Sequence, residues 1–249
     1  MKKTIFTLVV ISCCFLHCEK DTALSNGFSK TVGAGGSMAR FAIVGNYLYA
    51  VDENYLQVFD ITNAGAPVSR NKLNVGFEIE TIFPFKDKLF IGSTSMIHIF
   101  NISDPVNPVK LSEAVSPTVI RRCDPVVAKD TVAYATLRSN GPCGGVQSVL
   151  SSIDIRDVTH PVEKSTFVLP EPFGLGYAND VLYVCDGVMG LILFDISDAY
   201  HPQQIKYIQD GKYIDVIPYG GVLICWVEGG VIIYDISDNK NPLLLSKIN

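Results

Sequence analysis

The sequence of 249 residues predicts an all-β fold, a five-bladed β-propeller of four-stranded antiparallel blades. A motif of the form F-D-I-S-D-x-x-x-P recurs five times along the chain. Each copy follows two short apolar runs that are rich in β-branched and aromatic residues and are separated by turn residues, which predicts a β-hairpin. Helical periodicity is missing from these runs, and four short strands per repeat of about 40 residues are typical of a propeller blade.

The motif places one carboxylate or amide side chain at the end of the third strand of every repeat. Successive copies are separated by 41, 53, 41 and 40 residues, so only the third repeat carries an insertion. One copy has asparagine in place of aspartate, which keeps an acceptor oxygen and loses the charge. We therefore interpret these residues as turn-builders whose side chains accept backbone N–H groups of the following turn. The five positions are Asp60, Asn101, Asp154, Asp195 and Asp235.

The repeats predict one propeller domain, residues 37–249, made of five blades. The strands of each blade are named A to D in chain order. The proline that closes the motif opens strand D, where a missing N–H is tolerated at a sheet edge. We expect five such blades to complete a small ring. Their predicted bounds are residues 38–75, 78–115, 120–168, 172–209 and 212–248.

The strand C segments carry a resemblance to a known repeat. The stretches LQVFDIT, LILFDIS and VIIYDIS look like the LVIVD repeat of bacterial and archaeal surface and secreted proteins. The resemblance covers roughly residues 37–249, nearly the whole of the chain that follows the N-terminal segment. It implies a β-propeller and does not imply a reaction.

Residues 1–17 predict a signal peptide of the bacterial lipoprotein type. Two lysines precede an apolar run of 13 residues, TIFTLVVISCCFL, which is too short for a membrane span of about 20 residues. Cys18 comes directly after this region and is the predicted site of lipidation, although His17 stands where small residues are usual. The alternatives are ordinary secretion, or lipidation at Cys13 or Cys14.

Residues 18–36 are interpreted as a tether or linker, with the alternative that Phe28–Gly36 adds a closing edge strand. The predicted location is the bacterial cell envelope, at the outer membrane or the cell surface. The predicted partners are the membrane, through the N-terminal lipid, and an envelope protein or a glycan. Because the net charge is −5 and basic runs are missing, nucleic acid is excluded as a partner.

The sequence predicts a ligand site in the loops and not in the repeated motif. The D–A and B–C loops of a propeller meet at one face, around the mouth of the central channel, and this face is the predicted ligand site. Neither a metal nor a cofactor is expected, because the sequence contains no H-E-x-x-H, C-x-x-C, G-x-x-x-x-G-K-[ST], G-x-S-x-G or EF-hand motif. The candidate ligand residues are Glu78, Glu80, Arg121, Arg122, Asp124, Phe173, Tyr213, Asp215 and Glu228.

The insertion of the third repeat contains Cys143, and Cys123 precedes strand A of the same repeat. Both loops belong to the same end of the blade, and export permits oxidation. The sequence therefore predicts a Cys123–Cys143 disulfide. Such a bond closes a loop of about 20 residues and contributes roughly 3 kcal/mol in the chain-entropy description.

Two functions remain open at this point. The first is a non-catalytic binding or interaction module, which the anchor, the fold and the missing catalytic motifs favour. The second is a glycan-active hydrolase that uses carboxylates at the channel mouth, with Glu78, Glu80, Asp124 and Asp215 as candidates. Glycosidases place two such carboxyl groups about 5–9.5 Å apart, whereas short loops leave little room to shape a substrate pocket.

Overall fold

The computed structural model describes residues 35–114, 125–138 and 147–248. The predicted signal peptide and Cys18 lie outside the described residues. So do the predicted disulfide partners Cys123 and Cys143, and Arg121, Arg122 and Asp124 of the predicted ligand face. None of the described residues forms a helix long and apolar enough to cross a membrane.

The described residues form five antiparallel sheets of four strands each, and the strands of every sheet lie side by side in chain order. The prediction of an all-β, five-bladed propeller is confirmed. The strands are, in blade 1, β1 (Phe41–Val44), β2 (Tyr47–Val51), β3 (Tyr55–Asp60) and β4 (Val68–Asn74); in blade 2, β5 (Ile79–Phe85), β6 (Lys88–Ser93), β7 (Ile97–Asn101) and β8 (Val109–Ala114); in blade 3, β9 (Val126–Lys129), β10 (Val132–Leu137), β11 (Val149–Asp154) and β12 (Val162–Val168); in blade 4, β13 (Pro172–Ala178), β14 (Val181–Asp186), β15 (Gly190–Asp195) and β16 (Gln203–Ile208); and in blade 5, β17 (Tyr213–Tyr219), β18 (Val222–Val227), β19 (Gly230–Asp235) and β20 (Leu243–Ile248).

Apolar cores lie between successive blades, because the two faces of each inner sheet pack on the two neighbouring sheets. Side chains alternate along a strand. In blade 4, Tyr183 and Cys185 therefore face blade 5, whereas Leu182 and Val184 face blade 3. This explains why the inner strands are almost continuously apolar in sequence while the D strands are mixed.

A hydrogen bond from strand B also joins neighbouring blades. At three of the four packed interfaces, a tyrosine hydroxyl donates to a backbone carbonyl in the motif turn of the next blade. The pairs are Tyr49 with Pro105 at 2.9 Å, Tyr134 with Ala199 at 2.7 Å and Tyr183 with Asn239 at 2.8 Å. Blade 2 has Phe90 at this position, and the hydroxyl of Ser112 donates to the equivalent carbonyl, that of Val158.

The interface between blades 5 and 1 differs from the other four. Strands B and C of blades 2 to 5 bury their side chains on the face toward the preceding blade. The equivalent residues of blade 1, Leu48, Ala50, Gln57 and Phe59, are only half-buried. On the facing side of blade 5, Trp226 is 54% exposed. Within the described residues the apolar cores lie between blades 1 and 2, 2 and 3, 3 and 4, and 4 and 5, so an apolar seal does not complete the ring.

Candidate functional site

The A strands of all five blades surround a central cavity of about 660 Å³. This volume is within the usual range of small-molecule sites, roughly 300–1,000 Å³. Its wall is predominantly apolar and includes Ile43, Phe83, Tyr177 and Ile217. Lys86, in the A–B turn of blade 2, is the one charged residue among the described lining residues. The cavity can therefore hold an apolar molecule more readily than a charged one.

The upper face of the propeller, which holds the D–A and B–C loops, is the predicted ligand face. Residues 35–39 cross the end of the cavity on this face. The carbonyl of Ala39 accepts a hydrogen bond from the backbone N–H of Ile82 in blade 2, at 2.9 Å. The hydroxyl of Ser37 accepts one from the N–H of Leu175 in blade 4, at 2.7 Å. Since these blades lie on opposite sides of the axis, the chain itself occupies the upper channel mouth.

Asp215 fixes this crossing segment to blade 5. Its carboxylate accepts hydrogen bonds from the Ser37 hydroxyl at 3.2 Å, from the Met38 N–H at 3.3 Å and from the Val216 N–H at 3.0 Å. Burial raises the pKa of the Asp215 carboxyl to about 6, and these hydrogen bonds oppose the rise only in part. The sequence placed Asp215 on an exposed ligand face. In the structure it is only 8% exposed, so a ligand at this face does not reach its carboxylate.

Two glycines make room for the Asp215 carboxylate. A Cβ atom added at Gly36 would lie 1.9 Å from one carboxylate oxygen, and one added at Gly174 would lie 2.1 Å from the other. Any larger residue at either position would displace the carboxylate or the strand. Gly36 belongs to the stretch that the sequence assigned to the tether, and it is packed into the domain.

Tyr213 is buried as well, although it was predicted on the ligand face. Its side chain points into the core between blades 4 and 5. Its hydroxyl donates to Asp210 and shares a hydrogen bond of 2.6 Å with the hydroxyl of Tyr234. Burial and these contacts raise the pKa of Tyr213 far above its ordinary value. The alternation of β17, which turns this position inward, accounts for the difference from the prediction.

Glu78 and Glu80 do lie at the start of blade 2 on the upper face. Glu78 is exposed, has a φ of 54° and accepts a hydrogen bond from the Thr94 hydroxyl. Glu80 is half-buried, and burial raises the pKa of its carboxyl against the opposing charges of Arg138 and Arg40. The two glutamates therefore have different environments despite their proximity in sequence.

Phe173 and Glu228 are the remaining described residues of the predicted face. The guanidinium of Arg138 lies 4.4 Å from the centroid of the Phe173 ring, in a cation–π contact. Glu228 is exposed and pairs with Lys212 at 3.4 Å. Arg138 thus contacts the Phe173 ring, and its charge also acts on the Glu80 carboxyl. Glu228 belongs to a separate ion pair on blade 5.

The five motif residues all make the same turn contact. In each blade the side-chain oxygen of the motif aspartate or asparagine accepts the backbone N–H two residues later. The distances are 3.0 Å for Asp60, 2.8 Å for Asn101, 3.0 Å for Asp154, 2.8 Å for Asp195 and 2.7 Å for Asp235. Because Asn101 makes the same contact as the aspartates, the negative charge is dispensable for it.

A second turn contact follows three residues later and was missed by the sequence reasoning. Asp157 and Asp198 accept the backbone N–H two residues beyond them, at 2.9 and 3.1 Å. Their other carboxylate oxygens lie 3.0 and 2.9 Å from Nδ1 of His160 and His201. Asn241 makes the same contact with its own preceding aspartate at 2.9 Å. The histidines of the motif are therefore turn residues, as their place before the proline predicts, and the repeated second acid is the signal that could have identified their partner.

The remaining cysteine, histidine and acidic side chains of the described residues lie apart from one another or in structural contacts. Cys185 and Cys225 are buried free thiols, and burial raises the pKa of both. Over the part of the chain that the structure describes, three or more His, Cys, Asp or Glu side chains never come together as metal ligands would. The central cavity described above does have the dimensions of a binding site.

Comparison with known proteins identifies the repeat and supports the fold. The LVIVD repeat family model matches residues 35–74, which comprise blade 1 and its lead-in. A protein from Lactobacillus plantarum is similar in structure, with a TM-score of 0.61 and 16% identity over 81% of this chain and 67% of its own. Apo AztD from Citrobacter koseri is also similar, with a TM-score of 0.58 and 14% identity over 85% of this chain and 60% of its own. No curated protein matches the sequence.

The computationally designed Ika8 protein is similar as well, with a TM-score of 0.58 and 9% identity over 87% of this chain and 62% of its own. The chain thus spans between 60% and 67% of the length of these three structures. At such low identities the similarity establishes the propeller architecture and carries no activity across.

Proposed function

Because the chain is a five-bladed β-propeller that carries an LVIVD repeat, we propose that it is an exported, lipid-anchored, non-catalytic binding module of the bacterial envelope. The central cavity carries this proposal. It has the volume of a ligand site, an apolar wall and one cation, Lys86, at its lower rim. A molecule with an apolar body suits this lining, and entry from the lower face avoids residues 35–39.

The hydrolase alternative has weaker support. One of its candidate carboxylates, Asp215, is buried, and both of its oxygens accept hydrogen bonds from the protein. A carboxyl group in that position stabilises the crossing segment and cannot reach a sugar ring. Asp124 lies outside the described residues, and the two remaining candidates, Glu78 and Glu80, both come from the start of blade 2.

Export and anchoring rest on the N-terminal sequence. The apolar run that precedes Cys18 has the form of a lipoprotein signal, and the buried contacts of Ser37 and Met38 are in keeping with a tether that joins the folded domain at this end. An envelope protein or a glycan at the upper face is the partner class in keeping with this location.

Metabolic labelling with a palmitate analogue tests the anchor. We expect label in the wild type and in Cys14→Ser, and none in Cys18→Ser.

Ligand binding in the cavity is tested with 1-anilinonaphthalene-8-sulfonate, an apolar fluorescent anion. Ile217 lines the cavity, so Ile217→Trp fills it, whereas Tyr219 on the same strand is 63% exposed and outside the lining. We expect saturable binding to the full chain, weakened roughly tenfold or more by Ile217→Trp and unchanged in Tyr219→Trp. Equal binding by the two variants, both folded by circular dichroism, would contradict the proposal.

A further inference from the structure

Within the described residues, blade 5 exposes more large apolar side chains than any other blade. We define the blade 5 patch as Trp226, Leu243, Leu244, Leu245 and Ile248. These side chains are between 52% and 67% exposed. Cross-strand pairing joins Trp226 to Ile248 through Val231, so the two exposed side chains belong to one row of the sheet. Large contiguous apolar patches on a folded domain mark sites of contact with proteins or membranes.

Comparison within the chain shows that exposed apolar side chains are most numerous on the outer strand of blade 5. The outer strands β4 and β8 each contribute one, Val68 and Val109, and β12 and β16 each contribute two, Val162 with Val168 and Ile205 with Tyr207. In β20 all six residues are exposed, and four of them are leucine or isoleucine. Outer strands exposed to water are normally protected by charges. β20 therefore departs from the pattern of a solvent-facing edge.

The tether joins the folded domain next to this patch. Gly36, at the end of the predicted tether, packs against the carboxylate of Asp215. Asp215 is the direct cross-strand partner of Trp226. Residues 19–34, between the predicted lipid at Cys18 and the described fold, can span at most about 55 Å. An anchored domain is thus held to the membrane from the corner where the exposed tryptophan lies.

We propose that the blade 5 patch is a membrane-contact surface, which inserts Trp226 and the leucines of β20 into the interfacial region of the bilayer that holds Cys18. This inference rests on the proposed lipid anchor. Tryptophan favours the membrane–water interface because its ring is apolar and its N–H is polar. The leucines and Ile248 add apolar area that water covers in the free domain.

The contact is apolar and not electrostatic. Lys247, which lies within β20, is ion-paired with Asp210 at 2.9 Å. Lys212, beside the same blade, is paired with Glu228. Their charges are therefore balanced locally, and attraction to anionic headgroups is a minor contribution. We expect association of the patch with neutral phosphatidylcholine, unweakened by added salt.

Trp226 is the only tryptophan of the chain, so its fluorescence reports on the patch alone. The mature lipidated chain is reconstituted in phosphatidylcholine vesicles with brominated acyl chains, and flotation confirms its attachment. We expect Trp226 emission to shift to shorter wavelength and to be quenched by the bromine atoms. As a matched control, the tryptophan is moved to Phe77, which is 81% exposed at the start of blade 2, in Trp226→Phe/Phe77→Trp. This tryptophan should not be quenched.

Flotation separates the two proposals. A chain that floats while Trp226 remains unquenched, or is quenched no more than the tryptophan at position 77, overturns the membrane contact and leaves the anchor standing. A chain that does not float overturns the anchor, and the membrane contact falls with it. A blue shift of Trp226 that depends on protein concentration without vesicles assigns the patch to a second copy, and likewise overturns the proposal.

Discussion

The carboxylate of Asp215 in blade 5 accepts a hydrogen bond from the hydroxyl of Ser37, 178 positions away in sequence, at 3.2 Å. The same hydroxyl accepts the N–H of Leu175 in blade 4. This relay attaches the segment before blade 1 to the two blades at the other end of the chain. It is a polar connection in the ring at the place where the apolar seal between blades 5 and 1 is missing.

Replacing Ser37 by alanine tests the strength of this connection. Ser37 is 1% exposed, so its loss leaves the N–H of Leu175 without its acceptor. An unsatisfied buried donor costs about 1–3 kcal/mol. We expect Ser37→Ala to lower the free energy of unfolding by that amount in urea denaturation. The control is Ser95→Ala, at an exposed turn position, which should lower it little. Equal values for the two variants would show that the relay does not stabilise the ring.

The stability of the domain should depend on pH through Asp215. The pKa of its carboxyl is about 6 in the folded state and 3.8 when exposed, so between these values the folded state binds more protons than the unfolded state. The contribution of Asp215 to stability therefore falls as pH rises from 4 to above 6, by up to about 3 kcal/mol.

The Asp215→Asn variant isolates this effect from other titrating groups. The lowered pKa of buried His98 acts in the opposite direction, because its protonation at low pH favours the unfolded state. Wild type and variant share that contribution. We expect the difference in free energy of unfolding, wild type minus variant, to be larger at pH 4.5 than at pH 7. A difference that does not change with pH would show that Asp215 titrates normally.

The tyrosine hydrogen bonds between blades give a third prediction. Removing one hydroxyl should cost about 1 kcal/mol, because the carbonyl of the next blade loses a buried donor. We expect this loss for Tyr183→Phe, measured by thermal or urea unfolding. The natural Phe90 in blade 2 indicates that the ring itself fits the interface without a hydroxyl. An unchanged stability would mean that water replaces the hydroxyl at Asn239.

The sequence was sufficient to predict the fold because the apolar pattern of each strand of a blade occurs five times along the chain. Asn101 alone distinguished a turn acceptor from a catalytic acid. Ser37 could not be identified, since its partners come from strands far away in sequence and the motif does not include it. The exposure of Trp226 was equally hidden. Strand pairing places it at the position of the buried Cys185, and its exposure follows from the missing apolar seal between blades 5 and 1.

Cys123 and Cys143, the partners of the predicted disulfide, lie outside the described residues, and the bond remains a prediction. We expect mass spectrometry of the exported chain to show a peptide pair that separates on reduction, and two free thiols, those of the buried Cys185 and Cys225. Reduction should lower the free energy of unfolding by roughly 3 kcal/mol. Finding four free thiols in the propeller under native oxidising conditions would rule the bond out.

The motif turn gives the last prediction, on the role of charge in the five repeated side chains. Asp235 accepts the N–H of Ser237 at 2.7 Å, and these contacts lower the pKa of its carboxyl. Asn101 makes the same contact at 2.8 Å without a charge, so Asp235→Asn should retain most of the stability. Asp235→Ala removes the acceptor and should lower the unfolding temperature further. Equal unfolding temperatures for the asparagine and alanine variants would show that an uncharged side-chain oxygen does not stabilise the turn. The stabilisation by Asp235 would then come from its charge.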